Sequence, residues 1–365
     1  VNGTQATVDL DDVDGLLAAD RDGLLRAASM AGAQVRATAA ALDEGDLDSL
    51  TSDQPPRTVI WVASRGTAGT AGAMLSATLG GSVGAPIVLA SEVPQWIGAL
   101  DVLIVAGDDP GDQALVSAAA TGVRRGARIA VVAPYEGPLR DATAGRSAAL
   151  APRLQVRDDF GLTRYLAAGM AVLQVVNQGL SHDLSRLADE LDAEAFRNSA
   201  GRELFTNPAK ALADRMMGRD VVLAGDNSAT LALARHGAAV LLRIAHQSVA
   251  AVGLADALVA LHGGMGNTSG AGGEQSIFHD EQIDGPLARR VRTFVLATDE
   301  ERPAVHARVS GLDDVSLINA EDVPEALGMV DAPLAVAPPG RPEQQLAMLA
   351  VRLEMTATYL RLVRG

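Results

Sequence analysis

The chain of 365 residues contains no cysteine, which excludes disulfides, thiolate metal sites and cysteine nucleophiles. Aromatic residues are scarce as well. Five Phe, three Tyr and two Trp within a 48% hydrophobic composition leave the core to Ala, Val and Leu. Such a core suits helices packed closely on a parallel sheet better than an antiparallel sandwich. Basic residues are outnumbered, 30 against 45 acidic ones, and the net charge of −15 would repel nucleic-acid phosphates and anionic membranes alike. No apolar run approaches the roughly 20 residues that span a bilayer, and the acidic N-terminus lacks a signal-peptide pattern. The expectation is a soluble cytoplasmic protein with neither nucleic acid nor membrane as partner.

What is present begins with residues 58–74, TVIWVASRGTAGTAGAM: a β-branched apolar run, then small polar residues, then a helix-forming segment. A buried strand that feeds a Gly/Ser/Thr loop opening a helix is how parallel α/β proteins make an anion site. The loop amides and the positive end of the helix dipole point at the ligand, and small side chains let it come close. Ser64, Arg65, Gly66, Thr67, Gly69 and Thr70 are the candidate ligand-binding residues of this loop. The same pattern also suits a tight strand-to-helix turn that binds nothing. Gly66, Gly69 and Gly72 read G-x-x-G-x-x-G, which is neither the dinucleotide fingerprint nor a phosphate loop with its lysine.

Along the chain, residues 12–42 carry apolar positions at helical spacing and read as one or two amphipathic helices before a Pro55-Pro56 linker. Strand-like runs follow at 59–63, 86–90, 102–106 and 128–133, with helical patterns near 71–78, 113–125 and 138–148. This alternation predicts a doubly wound parallel sheet. Two long helical stretches, 161–177 and 182–200, then lead to a loose repeat of the first lobe. In that repeat, 221–225 (VVLAG) is a strand, 226–230 a small polar loop and 231–239 a helix. Further on, strand 291–298 runs into an acidic turn and Pro303, as 101–107 runs into Asp108, Asp109 and Pro110. The glycine-rich stretch 263–273 reads as a long loop, and 342–362 as one helix with Leu346, Leu349, Leu353 and Leu360 near one face. The fold expected is α/β: two tandem doubly wound parallel-sheet lobes with an N-terminal helical segment, divided as residues 1–195 and 196–365.

Four places resemble the sugar isomerase (SIS) family in its double-lobed phosphoglucose/phosphomannose isomerase branch. The loop WVASRGTAGTAGAM is similar to the family's first phosphate-side loop. Asn207-Pro208-Ala209-Lys210 with Leu212-Ala213 resembles the NPAK-x-LA opening of the second lobe. Phe278-His279-Asp280-Glu281 resembles the His-Asn-Glu segment whose glutamate is the catalytic base, and 353–360 resembles the closing helix. The resemblance implies a homodimer that binds a hexose phosphate or related sugar derivative, needs no cofactor, and interconverts aldose and ketose with Glu281 as base. Burial that raises a glutamate's pKa suits moving a proton between C1 and C2, although Glu281 also suits a solvated surface position.

Two departures weigh against turnover. Where the family has a Ser/Thr-rich phosphate loop, this chain has Gly107-Asp108-Asp109-Pro110-Gly111-Asp112, with every hydroxyl replaced and three carboxylates present. Like charges about 6 Å apart repel by roughly 1–3 kcal/mol, enough to disfavour a phosphate dianion there. Asp109 or Asp112 also suits capping the next helix. The second departure is Arg302 before Pro303, where the family has a proton-transferring histidine. An arginine can hold an anion but cannot shuttle a proton. His306, one helical turn on, or His279 is available for that role, and both also suit a structural histidine. His279, Asp280 and Glu281 diverge in direction too much to be read as a metal site, so no metal is expected. Ser228, Asp226 and His236 lack the nucleophile elbow of a hydrolase. Two functions therefore stay open: an isomerase of hexose 6-phosphates, or a non-catalytic descendant that binds a sugar phosphate or a partner enzyme and regulates it.

Overall fold

The structure is a computed structural model, and it describes residues 8–63, 66–177, 179–265, 290–312, 314–321 and 341–364. Three helices open it: α1 (Val13–Ala19), α2 (Leu24–Ala28) and α3 (Ala31–Asp43). The single periodic stretch is divided where Asp20 accepts the Leu24 and Leu25 amides at 2.7 and 3.0 Å and Gly23 takes φ +65°. A carboxylate that satisfies orphan amides and a left-handed glycine end one helix and start the next.

The first sheet is built from β1 (Thr58–Val62), β2 (Ile87–Ala90), β3 (Asp101–Ala106), β4 (Arg128–Val132) and β5 (Ala148–Ala149). All its pairings are parallel, in the order β2-β1-β3-β4-β5. The connections carry α4 (Gly66–Leu79), α5 (Gln113–Arg125) and α6 (Gly137–Thr143). The helix expected over 138–148 stops at Thr143, because Ala144 and Gly145 both take left-handed backbone angles and the chain then enters β5. After α7 (Leu162–Val176), α8 (Leu184–Arg197) and α9 (Pro208–Met216), the second sheet follows. It contains β6 (Asp220–Gly225), β7 (Val249–Gly253), β8 (Val291–Leu296) and β9 (Val315–Ile318), also parallel, in the order β7-β6-β8-β9. Its helices are α10 (Ser228–Ala245), α11 (Leu254–His262) and α12 (Arg302–Val309), and α13 (Pro342–Arg364) closes the chain.

Numbered within each lobe, both sheets share the order 2-1-3-4, so the expected repeat is present as two parallel sheets. Alternation along the strands divides the core. Val59 and Trp61 of β1, with Val221 and Leu223 of β6, face one central cluster shared with α4, α7, α10 and α13. Ile60 and Val62 face a second cluster against α5 and α6, while Ala224 and Val295 face a third with α11 and α12. A middle layer of helices is thus gripped by two sheets, with α4 and α10 packed on each other.

Helix α13 is buried on all sides rather than on one leucine face. Its charges are satisfied inside. Arg352 donates to Glu194 at 2.8 Å and to the Asn319 and Ala320 carbonyls, and Glu194 also accepts from Arg197 and Asn198. Burial pushes the Glu194 carboxyl up, but Arg352 and Arg197 outweigh it and hold it below its usual range. His236 on α10 meets Glu354 at 2.9 Å, both almost wholly enclosed. The NPAK segment is structural. Asn207 caps α9 through the Lys210 amide, Pro208 fits the first helical position, and the Lys210 ammonium donates to the Ala200 and Arg202 carbonyls at 2.9 and 2.7 Å.

Candidate functional site

Ligands of open parallel sheets bind beyond the carboxyl ends of the strands, where the strand order reverses. In lobe 1 that point lies between β1 and β3. Helix α4 starts there at Gly66, whose φ of +72° turns the chain from strand to helix. Thr67 is buried in its first turn, and Gly69 and Thr70 are half-buried one turn on. Gly69 borders a small cleft of about 210 Å³ with Trp61, Leu89 and Ser91. Gly72 has another reason: a Cβ there would lie 2.6 Å from the Trp61 ring, whose indole nitrogen donates to the Ala68 carbonyl at 3.0 Å. The third glycine of the run therefore serves strand–helix packing. Ser64 and Arg65 of this loop, and His279 and Glu281, lie outside the described residues.

The acidic loop after β3 is not three bare charges facing the cleft. Asp112 caps α5 by accepting the Ala114 amide at 2.9 Å, and Asp109 accepts the Gly111 amide at 2.8 Å. Only Asp108 lines the cleft, with its Oδ2 4.0 Å from where a Cβ on Gly66 would stand. Its Oδ1 takes the Arg164 Nη2 at 2.8 Å and the Tyr165 hydroxyl. The Arg164 guanidinium also lies over the Tyr165 ring, 4.2 Å from its centre. Burial above all pushes the Tyr165 phenol up, so it stays a donor. Arg164 offsets part of the repulsion expected from this loop, and the Asp108 carboxylate still stands on the cleft wall.

The cleft holds about 540 Å³ and is lined by Asp108, Tyr135, Glu136, Asp158, Gly161 and Arg164, among others. These follow β3, β4 and β5 or open α7. Partial burial first, and then Asp108, hold the Asp158 carboxyl above its usual range, while Arg164 pulls it down. Helix α7 starts on Gly161 with no side-chain cap. Arg164 Nη1 and the hydroxyls of Thr67 and Thr163 are buried with no hydrogen-bond partner among the described residues.

The equivalent point of lobe 2 is occupied by its own side chains. Asn227 accepts the Ala229 and Thr230 amides at 2.8 and 2.9 Å, and Thr230 returns a bond to the Asn227 amide in a full capping box. Asp226 pairs with Arg308 of α12. After β8, Glu301 accepts from both the amide and the hydroxyl of Thr298, and Asp299 bonds Gln345 of α13. Arg302 and His306 stand on exposed positions of α12 in this lobe, while Gly66, Thr67, Gly69 and Thr70 belong to lobe 1. His236 is taken up in the core by Glu354, which removes the Ser228/Asp226/His236 arrangement.

Sequence reasoning passed over Arg164, Tyr165 and Asp158. Their only local signal is an Arg-Tyr pair in the first turn of a helix, and the partner that gives it meaning lies 56 residues earlier.

No protein-family model matches the chain, and no curated protein matches it. Solved structures do. The chain is similar to tagatose-6-phosphate ketose/aldose isomerase from Escherichia coli, with 14% identity and a TM-score of 0.61 over 100% of this chain and 95% of that one. It is similar to the C-terminal domain of glucosamine-fructose-6-phosphate aminotransferase from Francisella tularensis (11%, TM-score 0.58, 93% and 95% covered). It is also similar to a glucose-6-phosphate isomerase like protein from Thermus thermophilus (17%, TM-score 0.54, 98% and 96% covered). These likenesses show a fold of the sugar isomerase (SIS) type. Among the described residues, no helix is long and apolar enough to cross a membrane.

Proposed function

We propose that this protein binds a phosphorylated sugar or related sugar derivative in the lobe 1 cleft. The observation that carries the reading is a cleft large enough for a hexose, beyond the carboxyl ends of β3, β4 and β5 and against the start of α7. Carboxylates of Asp158 and Glu136 on its walls suit hydroxyl donors of a sugar ring. The SIS fold and the names of its structural neighbours support this ligand class.

Aldose–ketose isomerisation of hexose 6-phosphates is the finer proposal, with Glu281 as base on the strength of the sequence resemblance. A sensing or partner-regulating role without turnover is favoured by one observation: Arg302 and His306 stand on the lobe 2 helix α12, whereas the open cleft belongs to lobe 1. Calorimetric titration with glucose, fructose and mannose 6-phosphates and with free glucose tests the binding. Saturable binding of a phosphorylated sugar, weaker or absent with glucose, is expected. Coupled turnover assays of wild type and Glu281→Gln separate the two finer readings: general-base catalysis predicts a loss of about 10²–10⁴-fold in the variant.

A further inference from the structure

The loop after β3 carries three carboxylates and no hydroxyl, so an anionic group in the lobe 1 cleft would have to be held elsewhere. We infer that Arg164, with the uncapped start of α7, is the anion anchor of this cleft, and that its ligand presents a phosphoryl group there. This rests on the reading of the cleft as a phosphorylated-sugar site.

Four observations converge. Helix α7 is 15 residues long and begins on Gly161, which carries no side chain to cap it, so the first-turn amides keep their positive end toward the cleft that Gly161 lines. Arg164 in that first turn is fixed in place: Nη2 donates to Asp108, and the guanidinium face lies on the Tyr165 ring. Its other terminal nitrogen, Nη1, is buried and has no partner among the described residues. Two hydroxyls nearly devoid of solvent, on Thr67 at 2% and Thr163 at 1% exposure, are likewise unpartnered. The Thr67 oxygen lies 3.6 Å from where a Cβ on Gly161 would stand, which places it against the start of α7.

A guanidinium nitrogen without a partner, beside a helix start that has no side-chain cap, suits a phosphoryl oxygen: the first donor is charged and held in place, and the second adds the helix dipole. Asp108 and Tyr165 act as positioning residues, holding the guanidinium in one orientation. Asp108 also opposes the ligand by its charge, as does Asp158. That opposition leaves a distinctive signature. Removing the Asp108 charge should strengthen anion binding, whereas a merely structural Arg164–Asp108 pair would yield weaker binding or none of this gain.

The experiment titrates the full-length chain with inorganic phosphate and with glucose 6-phosphate, for wild type, Arg164→Lys, Arg164→Gln and Asp108→Asn, with thermal melts to confirm folding. Loss of one charge-assisted contact corresponds to about a 10- to 100-fold weaker affinity, expected for Arg164→Gln, with Arg164→Lys in between. Asp108→Asn should bind about 3- to 10-fold more tightly. Wild-type affinity in folded Arg164→Gln and Arg164→Lys, for a sugar phosphate that wild type binds, overturns the anchor and leaves the sugar-phosphate reading standing. Phosphate binding that depends on Arg164 without any sugar-phosphate binding overturns the reading and keeps the anchor. No binding of either probe by wild type overturns both.

Discussion

The two lobes share a strand order and differ in what they do with the start of their first helix. In lobe 1, α4 begins on a left-handed glycine beside a cleft, and the acidic loop after β3 reaches across to α7 through Asp108, Arg164 and Tyr165. In lobe 2, α10 begins under a capping box, Asp226 is tied to Arg308, and the loop after β8 folds back on Thr298 and Glu301. Both halves carry the same order of parallel strands. What differs is a few loop side chains, and in lobe 2 those side chains bond to one another.

One framework lies beneath these two differently used ends, and the sharpest test of the contrast is on that framework. Arg352 joins α13 to Glu194 of α8 and to the carbonyls after β9. Arg352→Met leaves a buried carboxylate short of a partner and should cost about 3–5 kcal/mol. A single thermal transition displaced downward is expected. Two separated transitions would show that the lobes do not share a core.

Acid should act on the same network. Glu194 is held below the ordinary carboxylate range, so the folded state binds its proton less tightly than the unfolded chain does. Its contribution is present above the unfolded value near 4.5 and is lost as pH falls through the lower folded value. Stability of wild type should therefore decline more steeply below that pH than stability of Glu194→Gln, as measured by urea midpoints at a series of pH values. Parallel curves would remove Glu194 from the acid response.

Smaller effects bear directly on the ends. Asn227→Ala removes the lobe 2 cap and should cost about 0.5–2 kcal/mol of stability, with sugar-phosphate affinity unchanged. A loss of affinity in a folded Asn227→Ala would place ligand in lobe 2 and break the contrast. Arg308→Gln, which cuts a partly exposed ion pair with Asp226, should change stability by about 0–1 kcal/mol and leave binding alone.

Much of this is legible in the chain. Helix α5 is readable residue for residue, because Asp112 caps it and Gly126 ends it in a left-handed turn. The strands β1, β3, β4, β6 and β8 announce themselves as β-branched runs closed by small residues. Strands β7 and β9 do not: they are largely half-buried, and VAAVG and VSLI are patterns that helices share. Helix α13 reads as one-sided from Leu346, Leu349, Leu353 and Leu360, yet Arg352, Glu354, Thr356 and Thr358 find partners inside as well. At the site, the first loop and the acidic run after β3 are visible in sequence. The Asp108–Arg164–Tyr165 arrangement is not, because only the fold brings the β3 loop to the start of α7.

The central claim is that anion binding belongs to lobe 1 alone. Its most direct test is a crystal of the full chain soaked in phosphate, with the anion located by its density. The account predicts one phosphate per chain beside Arg164 and the amides that open α7. Density at the start of α10 beside Asn227, or equal occupancy in both lobes, would contradict it.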